Sequence, residues 1–216
     1  MDSNTLLTLL LVVPPLVIAV VIHEVAHGWV AEKLGDPTAR ALGRISLNPL
    51  VHIDLFMTIL LPAMLVISGS PVIFGGAKPV PVDPRYFKNP RQGMLFVAAA
   101  GPISNFLILA TTIATIRTLS SSALFQQEIP SLPAAIIMGW LYHSVLINTV
   151  LAVFNLIPVP PLDGGRIAVG LLPLNLAVKL ARLEPYGLLI VFFLLYSGVL
   201  NKLLMPAISL LQKLLG

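Results

Sequence analysis

Leu16-Val-Ile-Ala-Val-Val-Ile-His23-Glu24-Val-Ala-His27-Gly28 is the stretch that decides how this chain is read. Seven apolar residues run straight into three ionisable ones. The apolar run suits a membrane helix, and a helix puts positions i and i+4 on one face, so His23 and His27 can reach one metal ion together. Glu24 flanks that face, where it can take a proton from water activated by the metal. Ionisable residues grouped in so apolar a segment are costly to hold there and usually functional. The plain alternative is a trio of polar side chains at a helix end near the membrane surface.

Outward from this stretch, the first apolar segment covers residues 6–32, with Pro14 and Pro15 as an early kink and Gly35-Asp36-Pro37 as its end. Asp2 and the lack of a basic start or a small-residue cleavage site argue for a retained helix rather than a signal peptide. Further apolar segments cover residues 55–68, 93–118, 134–157, 167–178 and 186–205. The chain is 57% hydrophobic and 10% charged, against about 25% charged in soluble domains. The expectation is an all-α integral membrane protein, a polytopic bundle of about five to six transmembrane helices. It forms a single domain over residues 1–216, with a catalytic core over about 5–170 and C-terminal helices over about 171–216.

One stretch resists a helical reading. In Pro71-Val-Ile-Phe-Gly-Gly-Ala-Lys-Pro-Val-Pro-Val-Asp83, Val72, Ile73 and Phe74 favour extended backbone, whereas Gly75, Gly76 and the prolines break regular structure. A small β-type re-entrant or boundary segment is expected here. Its edge could hold a substrate extended, which makes Val72, Ile73, Phe74, Gly75 and Gly76 candidate substrate-binding residues.

The net charge is +4, and the basic residues gather in loops as the positive-inside rule requires. Lys33, Arg40 and Arg44 follow the first segment, and Lys88 and Arg91 precede residues 93–118, whose far end carries Arg117 alone. This pattern puts both histidines, and Asp163 after the segment 134–157, on the cytoplasmic side. No basic stripe with interleaved aromatics occurs, so nucleic acid is not an expected partner. The absence of cysteine excludes disulfides, thiolate zinc ligands and a cysteine nucleophile.

A catalytic zinc needs three protein ligands and an open position. His52, Asp54, His143 and Asp163 are the candidates for the third. Asp163 is favoured by its setting, Asn155-Leu-Ile-Pro-Val-Pro-Pro-Leu-Asp163-Gly-Gly165, in which prolines stiffen the approach and glycines free the exit. An N-capping aspartate at a turn would look the same. Asn148 lies seven positions before Asn155, on the same helix face, and could support the site or bond to a neighbouring helix. His52, in a polar turn, is expected to anchor its loop, with a supporting role at the metal as the alternative. His143 sits well round the helix and is expected to be structural.

The motifs together resemble the site-2 protease family of intramembrane zinc metalloproteases. The likeness rests on His23-Glu-Val-Ala-His27 and on Asn155-Leu-Ile-Pro-Val-Pro-Pro-Leu-Asp163-Gly. It extends to Gly43-Arg-Ile-Ser-Leu-Asn-Pro49, Phe74-Gly-Gly-Ala-Lys-Pro-Val-Pro81 and Ala100-Gly-Pro-Ile-Ser-Asn105. It is nearest the compact prokaryotic branch without PDZ or CBS domains. The resemblance implies one Zn2+ per chain on His23, His27 and Asp163, Glu24 as general base, and Asn155 holding the substrate carbonyl. It implies as partners a transmembrane protein or peptide substrate and membrane lipid, and a prokaryotic inner membrane as location. Asn105 and Gly101 are expected to pack their helix against the zinc-bearing one. A metal transporter would need more ionisable residues along a path through the bilayer, and a silent scaffold would have no use for Glu24.

Overall fold

The computed structural model describes residues 3–70, 74–121 and 131–215. Helix α1 (Ser3–Lys33) contains Pro14 and Pro15. Pro14 has no N–H, so the Leu10 carbonyl one turn earlier loses its helical donor. The indole N–H of Trp140 donates to that carbonyl at 2.8 Å. Gly139 beside it lets the two helices close up, since a Cβ there would lie 2.8 Å from Leu11 Cδ2. Gly35, at φ +107°, turns the chain out of α1.

A short helix α2 (Thr38–Ala41) follows, then a 3-10 turn at Pro49–His52 and a π-helical turn at Leu55–Leu60 that runs into α3 (Leu61–Ile67). After an extended stretch and a 3-10 turn at Pro84–Tyr86 come the long helices α4 (Pro90–Ser120) and α5 (Leu132–Asn155). The remainder is α6 (Asp163–Leu171), α7 (Leu174–Ala181), α8 (Gly187–Tyr196) and α9 (Val199–Leu215).

Helix α4 is the hub, packed against α1, α5, α6 and α9. Between residues 98 and 105 its buried residues are mostly small, Ala98, Ala100, Gly101, Pro102 and Ser104 beside Asn105, which lets neighbouring backbones approach closely. It runs antiparallel to both α1 and α5: His27 meets Val97 while His23 meets Asn105, and Asn105 meets Asn148 while Thr112 meets Ser144. The C-terminal ends of α1 and α5 and the N-terminal end of α4 therefore share one side. The outer faces stay apolar and uncovered, with Leu6, Leu9, Leu10, Val13 and Ile18 of α1 exposed, as a lipid-facing surface requires.

Two expectations about the fold are corrected. Among the described residues, three helices are long and apolar enough to cross a membrane, within Leu6–Lys33, Pro90–Ser120 and Leu132–Asn155, not five to six. The apolar helix Leu55–Ile67 is a shorter one, rising only about 20 Å against a hydrocarbon core of about 30 Å. The segment expected over 186–205 is broken by Gly198 at φ +73° into α8 and α9, and the segment 167–178 is broken at Pro173 between α6 and α7.

The second correction concerns the β-type segment, since no strand occurs among the described residues. The stretch from Phe74 to Asp83 has no strand for a partner. Its N–H groups go elsewhere, Gly76 to the Met57 carbonyl at 3.0 Å and Lys78 to the His52 carbonyl at 2.8 Å. Pro79 and Pro81 have none to give. Gly75 presses on the π-helical turn, where a Cβ would come 2.8 Å from the Met57 carbonyl oxygen. Phe74 packs into the core against Phe154 and Phe192, at ring separations of 6.3 and 5.9 Å. Val72 and Ile73 lie outside the described residues.

Candidate metal centre

The site forms where α1, α4 and the start of α6 meet. One helical turn separates His23 from His27, and their Nε2 atoms point to a common centre 3.1 Å apart. Asp163, the first residue of α6, brings Oδ2 to 3.2 Å from His23 Nε2 and 3.3 Å from His27 Nε2. Among the described residues this is the cluster of potential ligands able to hold a metal ion. Asp163 is set there by tight backbone packing. A Cβ on Gly164 would lie 2.3 Å from the Leu156 carbonyl group, and one on Gly165 would lie 2.2 Å from the Pro160 nitrogen. The paired glycines thus press the start of α6 onto the proline-rich turn that follows α5.

The chemistry of these donors fits zinc. His27 Nδ1 lies 2.7 Å from the Val97 carbonyl, which only accepts, so Nδ1 carries the proton and Nε2 turns a lone pair inward. His23 Nδ1 is held in the same way at 2.7 Å by Asn105 Oδ1. Asp163 Oδ2 is buried without a hydrogen-bond partner. Three acceptors so close together need a positive centre between them. A tetrahedral ion with bonds of about 2.0–2.1 Å has ligand–ligand edges of about 3.3–3.4 Å, and the edges here are 3.1, 3.2 and 3.3 Å.

Gly101 forms the floor. A Cβ at this position would lie 2.5 Å from both His23 Cε1 and His27 Nε2. Both rings are fixed at Nδ1 and cannot swing aside, so only glycine lets α4 pass beneath them.

Glu24 is half-buried and accepts a hydrogen bond from the Val80 N–H through Oε2 at 2.9 Å. Val80 is held in turn by its neighbourhood. The buried Arg44 donates to the Lys78 carbonyl at 2.7 Å, and Gly28 leaves room for the Val80 side chain, which lies 3.0 Å from where a Cβ would be. In the sequence Arg44 reads as a topology signal and as part of the Gly43–Pro49 likeness, and Asp36 as a helix terminator; neither reading gives it a place beside the site. Asp36 is fully buried and accepts from the Thr38 N–H and hydroxyl and from the Asp83 N–H, tying the end of α1 to the far end of the extended stretch. The Asp36-Pro-Thr38 turn signal was there to be read. The Asp83 partner was not.

The other candidates bond within their own helices and turns, except Asn148. Asn155 donates to the Leu151 carbonyl of its own helix at 3.0 Å. Asn148 bonds to Asn105 at 2.9 Å. His52 Nε2 meets the Ser46 carbonyl at 2.8 Å, which anchors its loop. His143 Nδ1 meets the Gly139 carbonyl of its own helix. Asp54 caps the π-helical turn through the Phe56 and Met57 N–H groups.

Comparison with known proteins bears on most of the chain. The profile of Peptidase family M50 matches residues 11–197. A Bacillus subtilis (strain 168) protein provisionally named zinc metalloprotease YwhC is 36% identical over 194 residues, 90% of this chain and 84% of that one. A Mycolicibacterium smegmatis protein provisionally named zinc metalloprotease Rip2 is 28% identical over 196 residues, 89% of this chain and 69% of its own. Zinc metalloprotease MJ0392 of Methanocaldococcus jannaschii is 31% identical over 152 residues, 70% of this chain and 31% of its own. No solved structure matches.

Proposed function

The chain belongs to Peptidase family M50 and is a membrane zinc metalloprotease, and from that premise we propose that it cleaves a peptide bond within or near a transmembrane segment of a membrane protein. One zinc per chain sits on His23, His27 and Asp163, Glu24 is the general base, and Asn155 steadies the substrate carbonyl. The observation that carries this reading is the inward convergence of three acceptor atoms, two from a helix apolar enough to span a bilayer and one from the start of α6 packed against another such helix. The site lies near the C-terminal ends of α1 and α5, and the basic residues beyond α1 support a cytoplasmic placement of that end. The membrane is a prokaryotic inner membrane.

Zinc, when bound, supplies Lewis acidity and lowers the pKa of water towards ~7. Glu24 accepts a proton from the attacking water as its oxygen bonds to the scissile carbonyl carbon. The Val80 N–H holds Glu24 Oε2, which leaves Oε1 to take that proton. Asn155 donates to the carbonyl oxygen as negative charge builds there, through the Nδ2 hydrogen not given to the Leu151 carbonyl. Glu24 then returns the proton to the amine nitrogen as the C–N bond breaks.

The test is Glu24→Gln in purified full-length protein, with zinc content and cleavage of a transmembrane substrate measured side by side. Zinc should stay at one per chain while cleavage falls by about 10²–10⁴ or more. Undiminished cleavage would remove Glu24 from the mechanism.

A further inference from the structure

A chain of amide groups crosses the interior from α5 through α4 to His23, and each link fixes the sense of the next. It starts at the Ser144 carbonyl, which only accepts. Asn148 Nδ2 lies 2.8 Å from that oxygen and 3.2 Å from Ser144 Oγ, so the Asn148 amide turns its nitrogen that way and its oxygen towards α4. That oxygen is 2.9 Å from Asn105 Nδ2. The Asn105 oxygen is therefore the atom 2.7 Å from His23 Nδ1, and an amide oxygen forces the proton onto Nδ1. Both asparagines are 0% exposed. His27 needs no such chain, because the Val97 main-chain carbonyl cannot turn round.

We infer that Asn148 is a positioning residue for the metal, acting through Asn105 on the tautomer of His23. The inference rests on the zinc reading above. With Asn148 replaced by leucine, the Asn105 amide loses its 2.9 Å acceptor and keeps only the long 3.5 Å contact with the Ala19 carbonyl, so it can rotate by half a turn. Its NH2 then faces His23 Nδ1, the ring proton moves to Nε2, and the atom meant for the metal is blocked. A purely structural role, two buried asparagines joining helices, predicts lower stability and unchanged metal affinity.

The experiment measures the Kd for Zn2+ of full-length detergent-purified protein by chelator competition, together with the thermal stability of the metal-free form. Asn105→Leu and Asn148→Leu should each weaken zinc about 10–100-fold. The double variant should be no weaker than Asn105→Leu alone, because both changes break one chain. Asn148→Asp is the rescue. Buried, its carboxyl stays protonated, donates to the Ser144 carbonyl and accepts from Asn105, so zinc affinity should stay within about threefold of wild type. Thr149→Val is the packing control: Thr149 is buried nearby but bonds only to the Val145 carbonyl of its own helix, and it should leave affinity unchanged. If Asn148→Leu does not fold, ring ¹⁵N shifts in metal-free Asn148→Asp should show the Nδ1–H form of His23, as in wild type. Wild-type protein without zinc would overturn the metal reading and this inference with it. Zinc-binding wild type with Asn148→Leu at wild-type affinity, additive losses in the double variant, or an Nε2–H His23 in Asn148→Asp would overturn this inference alone.

Discussion

The two histidines and the glutamate lie within five residues of one another on α1, yet they are held by opposite means. The histidines are gripped from regular helices, by a side-chain amide on α4 and a main-chain carbonyl of α4. The glutamate is gripped from an irregular stretch, by the N–H of Val80. The first region is a set of interlocking helix faces in which each contact depends on how closely the backbones approach. The second is a piece of extended chain, laid beside α1 and pinned by its own backbone and by Arg44. Metal ligands need fixed geometry, which packed helices provide. In the proposed mechanism the base needs one oxygen held and the other free, which a single N–H gives Glu24.

The largest effect tests the helix side. Gly101→Ala should weaken zinc binding more than about 100-fold, because the added methyl meets two rings with nowhere to go. Near-stoichiometric zinc by elemental analysis of that variant would mean that α4 can retreat and that the close fit is not decisive. Next comes the extended side. Val80→Pro removes the N–H on Glu24 and should lower kcat about tenfold with zinc content unchanged. If zinc falls with kcat, the two regions are mechanically one and the contrast fails. The smallest effect again concerns the helices. Trp140→Phe leaves the Leu10 carbonyl unpaired and should cost about 1 kcal/mol, read as a drop of a few degrees in Tm, with cleavage retained.

The same contrast governs what could be read in advance. Helices α1, α4 and α5 were legible because a bilayer demands long apolar runs, and the expected segments 6–32, 93–118 and 134–157 fall within a few residues of the observed helices. The higher helix count was wrong because hydropathy sums apolar residues and does not weigh a backbone break such as the one at Gly198. The β-type segment was wrong because side-chain preference at Val72, Ile73 and Phe74 says nothing about a partner, and the described part of that stretch spends its N–H groups on two turns and two carboxylates.

At the site, the i, i+4 spacing brought out His23 and His27 directly. Asp163 needed the family resemblance, since its spacing alone also fitted a helix cap. The helix face shared by Asn148 and Asn155 was legible, but Asn148 pairs with Asn105 of another helix, and the register between two helices is not written in either one. The grip of Val80 on Glu24 was hidden for another reason: a backbone N–H belongs to every residue but proline, so no letter in the sequence advertises it.

The bond from Trp140 to Leu10 also orders events in the making of the molecule. A chain emerges N-terminus first, so α1 enters the membrane with a carbonyl that its own prolines have left unanswered. The donor that answers it lies 130 residues later. Until α5 is inserted, the first helix carries an open hydrogen-bond acceptor at its lipid face, and it is completed only by the segment that leads to Asp163. The helix that bears the histidines is thus finished by the same arrival that delivers Asp163.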